Sequence, residues 1–230
     1  MLITALAKNW DDHVVHAEDV ARTDGFRDLR CRIVALARPT ADDVVVDVGA
    51  GTGLLSLELA QRVQRVWSID ISQQMGDYLR VKAASAGLRN VETALASAVS
   101  LPLIDGSADL VVSNYCFHHL NDADKSRALS EIWRVLRPGG RVVLGDMMFR
   151  VGMVAPRNRR ILAQKVRALL RKGPRGFLRL AKNAGRILAG RWESPASQDW
   201  WQRALGDAGF VEIEVELLDH EGGIAAARRP

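Results

Sequence analysis

Two cysteines, Cys31 and Cys116, are all that 230 residues contain. That scarcity excludes a disulfide-stapled secreted scaffold, and with no Cys-x-x-Cys pair or His/Cys spacing the expectation is no metal site. Two buried, reduced thiols in a cytoplasmic protein fit this usage. No apolar run approaches the ~18 residues of a membrane span. The opening "MLITALAKNWDD" has no basic start, no long apolar stretch and no cleavage signal, so it reads as part of the mature protein. Repeats and low-complexity tracts are absent too.

The most informative absence is of one charge sign. Residues 147 to 192 hold 13 Arg or Lys and no Asp or Glu, although the whole chain carries only +5. The rest therefore has 19 basic against 27 acidic side chains. An acidic body carries one strongly basic segment, more positive than solubility needs.

What is present is a hydrophobic fraction of 48%, enough for one domain with a substantial core. Helical patterning over "NWDDHVVHAEDVARTDGFRDLRCRIVALA" predicts two helices broken near Gly25. Strand and helix then alternate. Strands are expected at 44–48, 65–70, 91–95, 108–113 and 141–146, and helices at about 54–63, 72–86 and 122–136. This alternation implies right-handed crossovers and a parallel sheet covered on both faces. It stops after Asp146. "APRNRRILAQKVRALLRK" and "RGFLRLAKNAGRILAG" read as two amphipathic helices parted at Gly173-Pro174, with Leu162, Val166, Leu169 and Leu170 along one side of the first. The second has Phe177, Leu180, Ala181, Ala184, Ile187 and Leu188. A further helix opens at Ser197 as N-cap, and two closing strands follow.

The sharpest motif is "VVDVGAGTG", Val45 to Gly53. A buried strand runs into a turn where three glycines expose backbone at a helix N-terminus, a place where α/β folds bind ligands. The spacing is Gly-x-Gly-x-Gly, and the last glycine of a dinucleotide fingerprint is replaced by Leu54. Asp47 beside the turn would repel a pyrophosphate but suits an ammonium group. Asp70, ending the second strand, can accept from both hydroxyls of a ribose. A nucleoside with an amino-acid tail fits this pair better than a dinucleotide does. The structural alternatives are that the glycines serve helix–strand packing and that Asp47 caps the turn.

With "WSIDIS", "LPLIDGSADLVVSNYCFHHL" and "IWRVLRPGGRVVLGD" in order, the chain resembles the class I S-adenosylmethionine-dependent methyltransferases over about residues 30–149 and 197–230. The nearest flavour is the ubiquinone/menaquinone-biosynthesis-like group, whose members methylate small molecules and lipids. The resemblance implies a doubly wound, Rossmann-like, seven-stranded α/β sheet with an antiparallel last strand. A helical cap would be inserted after strand 5. One domain would span 1–230, with N-terminal helices (1–38) as a lid or cap and a basic helical insertion at 150–193.

Carried over position by position, Gly49, Ala50, Gly51 and Gly53 would approach the methionine part and ribose of S-adenosylmethionine, with Asp47 near its amino group. Asp70 would hold the ribose hydroxyls, and Ile71 and Met75 would flank the adenine. Ser97, with Ala98 next to it, stands where relatives carry an Asp that accepts from the adenine amino group, and a neutral acceptor is weaker there. Asn114 and Tyr115 would face the sulfonium or the entering substrate. S-adenosylhomocysteine would be the product.

Methyl transfer from a sulfonium is an in-line displacement, served mainly by alignment and water exclusion. Where the acceptor is a phenol, enol or hydroxyl, a His can take the proton. His118 and His119, after the fourth strand, are the candidates for this role beside Tyr115, though both could be polar loop residues. One of two adjacent histidines is expected to face the site. His13 and His16, three apart near Trp10, belong either to a solvated helix face or to a lid. The basic segment admits three readings: contact of 156–190 with anionic membrane, a grip on RNA, or a solvated cap. The shortage of aromatics there, with Phe177 alone in the hairpin, favours membrane over RNA. The expected function is methylation of a small-molecule or lipid-like acceptor, with RNA methylation as the alternative. A non-catalytic cofactor-binding regulator or assembly partner is the reading from another class.

Overall fold

The computed structural model describes residues 9–21, 23–148, 156–171, 173–174, 177–178, 185 and 194–230. Seven strands form one sheet: β1 Val44–Val48, β2 Arg65–Asp70, β3 Val91–Leu95, β4 Ala108–Asn114, β5 Leu136–Met147, β6 Val211–Leu217 and β7 Gly222–Arg228. Their order is β3-β2-β1-β4-β5-β7-β6. The first five are parallel, and β7 lies antiparallel between β5 and β6. Around the sheet stand α1 Val14–Ala21, α2 Asp24–Ala37, α3 Ser56–Leu59, α4 Gln73–Ser85, α5 Asp122–Val135, α6 Pro156–Leu170 and α7 Gln198–Asp207. This is the expected doubly wound, Rossmann-like α/β architecture with an antiparallel last strand.

The valine run of β1 arises because this central parallel strand is buried on both faces. Val45 packs with Leu110, Val112 and Val143 under Leu29 and Ile33 of α2. Its neighbour Val46 faces the other way, into Val111, Leu129, Ile132 and Trp201. Side-chain oxygens cap three helices: Ser72 accepts from Met75 N at 3.1 Å, Asn121 from Asp124 N at 2.9 Å and, as its sequence position predicts, Ser197 from Trp200 N at 3.2 Å.

Three boundaries differ from the sequence reading. The helix after the glycine turn is not 54–63 but Ser56–Leu59 alone. Arg62 N–H reaches Leu59 O, three residues back, so the last turn tightens and the ladder ends. The N-terminal break falls before Asp24 and not at Gly25, because Thr23 is extended (ψ 151°) while its hydroxyl donates to Val20 O at 2.7 Å. Gly25 sits in the first turn of α2, where backbone N–H groups have no intrahelical partner to lose. The fifth strand begins at Leu136 and not at 141, with its register shifted between Ala108 and Leu110 of β4. Gly139 N–H donates to Arg229 O and Arg229 N–H to Gly140 O, which ties the Pro-Gly-Gly turn into the sheet.

Within the basic insertion the first helix is α6. Its Ile161 is buried and its Arg157 guanidinium donates to the carbonyls of Met148, Leu218, His220 and Gly222. Arg157 thus clamps the β6–β7 loop, a role that counting it as one cation among many had hidden. Of the second amphipathic helix of the sequence reading, Leu180, Ala181, Ala184, Ile187 and Leu188 lie outside the described residues, and of the two thiols expected to be buried, Cys31 is exposed on α2 and Cys116 half-buried.

Candidate active site

Strand order reverses around β1, which has β2 on one side and β4 on the other. The carboxyl ends of such strands open into a crevice. A cavity of about 390 Å³ occupies it. Lining it are Asp47, Gly49, Ala50, Gly51, Asp70, Ile71, Met75, Ser97, Ala98, Asn114, Tyr115, His118 and His119, so thirteen of the fourteen residues singled out from sequence share one site. Gly53 is the exception. A Cβ built there would overlap Leu79 of α4, so this glycine serves helix packing at its φ of +88°.

The turn is built by backbone. Gly49 and Ala50 N–H both donate to Ile69 O, at 2.8 and 3.0 Å, folding the loop over the end of β2. Gly49 has φ +73°, and a Cβ on it would strike Cys116 Sγ and come within 2.6 Å of Cys116 Cβ. Only a glycine lets the loop approach the segment after β4 this closely.

Two carboxylates stand on either side. Asp47 is 1% exposed and accepts from Ser56 Oγ at 2.6 Å, and Ser56 Oγ in turn accepts from Ser68 Oγ at 2.7 Å. Burial pushes its pKa up to about 7, against the lowering effect of Ser56. Asp70 accepts from Gly51 N at 2.8 Å and Ser72 N at 2.9 Å, one bond on each oxygen. Its pKa is raised too, chiefly by burial. Each oxygen retains a lone pair for a further donor.

N-terminal residues border the cavity: Trp10, His13, His16, Ala17 and Val20 line it, with His13 half-buried and His16 exposed as on a solvated helix face. Asp11 pins this segment to the start of α4, accepting from Ser72 Oγ at 2.5 Å and Gln74 N at 3.1 Å. Those same bonds hold its pKa below the usual value. Lys82 donates to Glu18 at 2.9 Å and to Thr52 O at 3.1 Å, linking α1 to the glycine turn.

Opposite the turn, both adjacent histidines reach the cavity, where one was expected. Their rings lie 3.9 Å apart, and Trp10 meets His119 edge-on at 4.6 Å. Tyr115, at φ +55°, stacks on Phe26 with centroids 4.1 Å apart. Sequence reasoning missed Phe26, Cys116 and Glu221 as lining residues. Phe26 and Glu221 come from chain distant in sequence, so no local motif carried them.

The acceptors present suit S-adenosylmethionine. Asp47 offers a carboxylate for an ammonium and Asp70 lone pairs for two hydroxyls. Asn114 Oδ1 is a buried acceptor that has no protein hydrogen bond.

Comparison with known proteins agrees. Residues 45–140 match the family model described as a methyltransferase domain. An uncharacterised methyltransferase of Geobacillus kaustophilus is 34% identical over 119 residues, 52% of this chain and 54% of the relative. The uncharacterised methyltransferase YcgJ of Bacillus subtilis is 33% identical over 114 residues, 50% of this chain and 44% of the relative. The chain spans about half the length of the curated relatives it matches. Among solved structures, a SAM-dependent methyltransferase from Aquifex aeolicus superposes with a TM-score of 0.68 at 19% identity, over 96% of this chain and 98% of that one. Phosphoethanolamine N-methyltransferase 2 of Haemonchus contortus, solved with phosphomonomethylethanolamine and S-adenosylhomocysteine, gives 0.70 at 15%, over 96% and 57%. Fold, motif order and family model together make residues 45–140 similar to a methyltransferase domain.

Proposed function

We propose that the protein transfers a methyl group from S-adenosylmethionine to a small, largely apolar acceptor, in the manner of the ubiquinone/menaquinone-biosynthesis-like group. The observation that carries this reading is the single cavity that brings Asp47, the glycine turn and Asp70 to face Tyr115, His118 and His119. When bound, S-adenosylmethionine supplies an electrophilic methyl on a sulfonium. Asp70 holds the ribose, Asp47 meets the ammonium, and Ile71, Met75 and Ala98 offer apolar surface to the adenine beside Ser97. Asn114 and Tyr115 border the place where the acceptor enters. The Trp10 lid excludes water, which strengthens the electrostatics of the site and orients the acceptor.

A lid this close to the cofactor end suits an acceptor of modest size better than a folded RNA. The exterior of α6 supports a peripheral contact with anionic lipid: Arg159, Arg160, Arg167 and Leu170 are exposed, as are Phe177 and Leu178 beyond it. No helix among the described residues is long and apolar enough to cross a membrane. The test is to incubate the protein with methyl-labelled S-adenosylmethionine and a metabolite and lipid extract. Label in an extracted compound, with release of S-adenosylhomocysteine, is expected. Cofactor binding without either would make the chain a regulator and not an enzyme.

A further inference from the structure

The two sides of α6 differ in kind. At about 3.6 residues per turn, Arg159, Arg160, Arg167 and Leu170 fall on one side, and Arg171 follows on that side just past the helix end. All five are exposed. Arg157 and Ile161, one turn apart, fall on the other side, where Ile161 is buried and Arg157 half-buried. The chain has no acidic residue from 147 to 192, so the segment itself supplies no counter-charge to its outer side.

The inner side holds a wall of the cavity. Arg157 donates through Nε to Leu218 O at 2.7 Å, through Nη1 to Met148 O at 3.0 Å, and through Nη2 to His220 O and to Gly222 O, the latter at 2.8 Å. These bonds join the end of β5 to the β6–β7 loop, the two segments that bring Met147 and Glu221 to the cavity. Between and within them, Met148 N–H donates to Glu221 O at 2.9 Å, Leu218 N–H to Gly222 O at 3.1 Å and Gly222 N–H to Nδ1 of His220 at 3.0 Å. The loop also abuts Tyr115, since a Cβ on Gly222 would stand 3.2 Å from its hydroxyl.

Only the helical state of α6 gathers its arginines on one side, and the same state sets Arg157 over the loop. A negatively charged surface that binds the arginines therefore favours the state in which the loop is clamped, and the coupling is reciprocal. Leu170 lies among the arginines, and Phe177 and Leu178 are exposed further along. A lipid surface takes up such apolar side chains, whereas a polyanion in water does not.

We propose that an anionic lipid surface bound to the outer side of α6 orders the cavity wall that carries Met147 and Glu221, with Arg157 as the positioning residue that joins the two. This deepens the lipid contact proposed above and rests on it, while it requires no particular methyl acceptor.

The test is hydrogen–deuterium exchange of the whole chain with phosphatidylglycerol vesicles, with phosphatidylcholine vesicles and with none. Phosphatidylglycerol alone should slow exchange at the amides of Met148, Leu218 and Gly222 by about threefold or more, and leave Gly51 in the glycine turn unaltered. Arg157→Met should speed exchange at the three amides without vesicles and remove the slowing by them. Arg159→Glu, Arg160→Glu and Arg167→Glu together should also remove the slowing, yet leave exchange without vesicles as it was. If the protein sediments with phosphatidylglycerol while the three amides exchange as before, the coupling is overturned and the lipid contact stands. Slowing that persists in Arg157→Met would overturn the positioning role. Failure to sediment, or slowing by structured RNA in place of lipid, would remove the lipid contact and this proposal with it. The unsubstituted protein decides the first and last of these outcomes, without any variant having to fold.

Discussion

Replacing Asp70 by Ala tests the cofactor assignment at its most exposed point. In the structure this carboxylate already accepts from Gly51 N and Ser72 N, at 2.8 and 2.9 Å, so its loss has two separable consequences. The two backbone N–H groups lose their acceptor. Each such loss costs about 1–3 kcal/mol when nothing replaces it, and water entering from the cavity keeps the total near the lower end. Losing the bonds to two ribose hydroxyls should cost a further 1.5–3 kcal/mol of binding, roughly a 10- to 150-fold rise in Kd. Titration calorimetry with S-adenosylhomocysteine reads the second quantity, and a denaturant series on the ligand-free protein reads the first. Asp70→Asn should fall between, because an amide keeps one accepting oxygen but lacks the charge. A folded Asp70→Ala protein with unaltered affinity would refute the reasoning, since it would mean that the ribose lies elsewhere in the cavity.

Further outcomes follow from other parts of the molecule. Asp47, with its pKa raised to about 7, must be ionised to meet an ammonium, so cofactor affinity should fall as pH drops below 7, by up to about tenfold per unit. Asp47→Asn should flatten that slope in calorimetry, and an unchanged slope would assign the titration to another group. Gly49→Ala puts a Cβ into Cys116 at a φ of +73°, and left-handed strain with overpacking should cost about 2–4 kcal/mol, seen as a lowered urea midpoint. Pairing it with Cys116→Ala should recover the steric part only, so full recovery or none would contradict the packing argument. Vesicles rich in phosphatidylglycerol should sediment the protein and neutral ones should not. The combined reversal of Arg159, Arg160 and Arg167 to Glu should abolish this with cofactor affinity intact. Equal binding to both vesicles, or to neither, would remove the membrane contact, and salt-sensitive binding to structured RNA would replace it.

The sequence by itself determined the sheet and the glycine-turn end of the cavity, because both are local. A strand buried on both faces is apolar at nearly every position, so Val44–Val48, four valines around Asp47, declared itself. A loop that bares its backbone needs glycine, so Gly49 and Gly51 did as well. Asp47 and Asp70 were legible because strand ends fix where their side chains project. Helix ends were less so: Ser56–Leu59 and the Thr23 break were settled by single backbone hydrogen bonds, which periodicity does not encode. Gly53 shows how one motif can serve two ends, since its spacing matches its neighbours while its close contact with Leu79 concerns packing alone.

Only the tertiary structure decided what faces the cofactor end. His118 and Asp146 are 28 residues apart on different strands' ends, and only the parallel pairing of β4 with β5 brings them to 2.6 Å. Phe26 reaches Tyr115, and Trp10 reaches His119, because the N-terminal segment folds back over the crevice under the hold of Asp11 and Glu18. Arg157 left the count of surface cations when the β6–β7 loop offered it carbonyls. Each of these contacts depends on the distance between residues remote in the chain. Such distances are set when the two hydrophobic faces of the sheet are buried together, and no stretch of sequence read alone contains them.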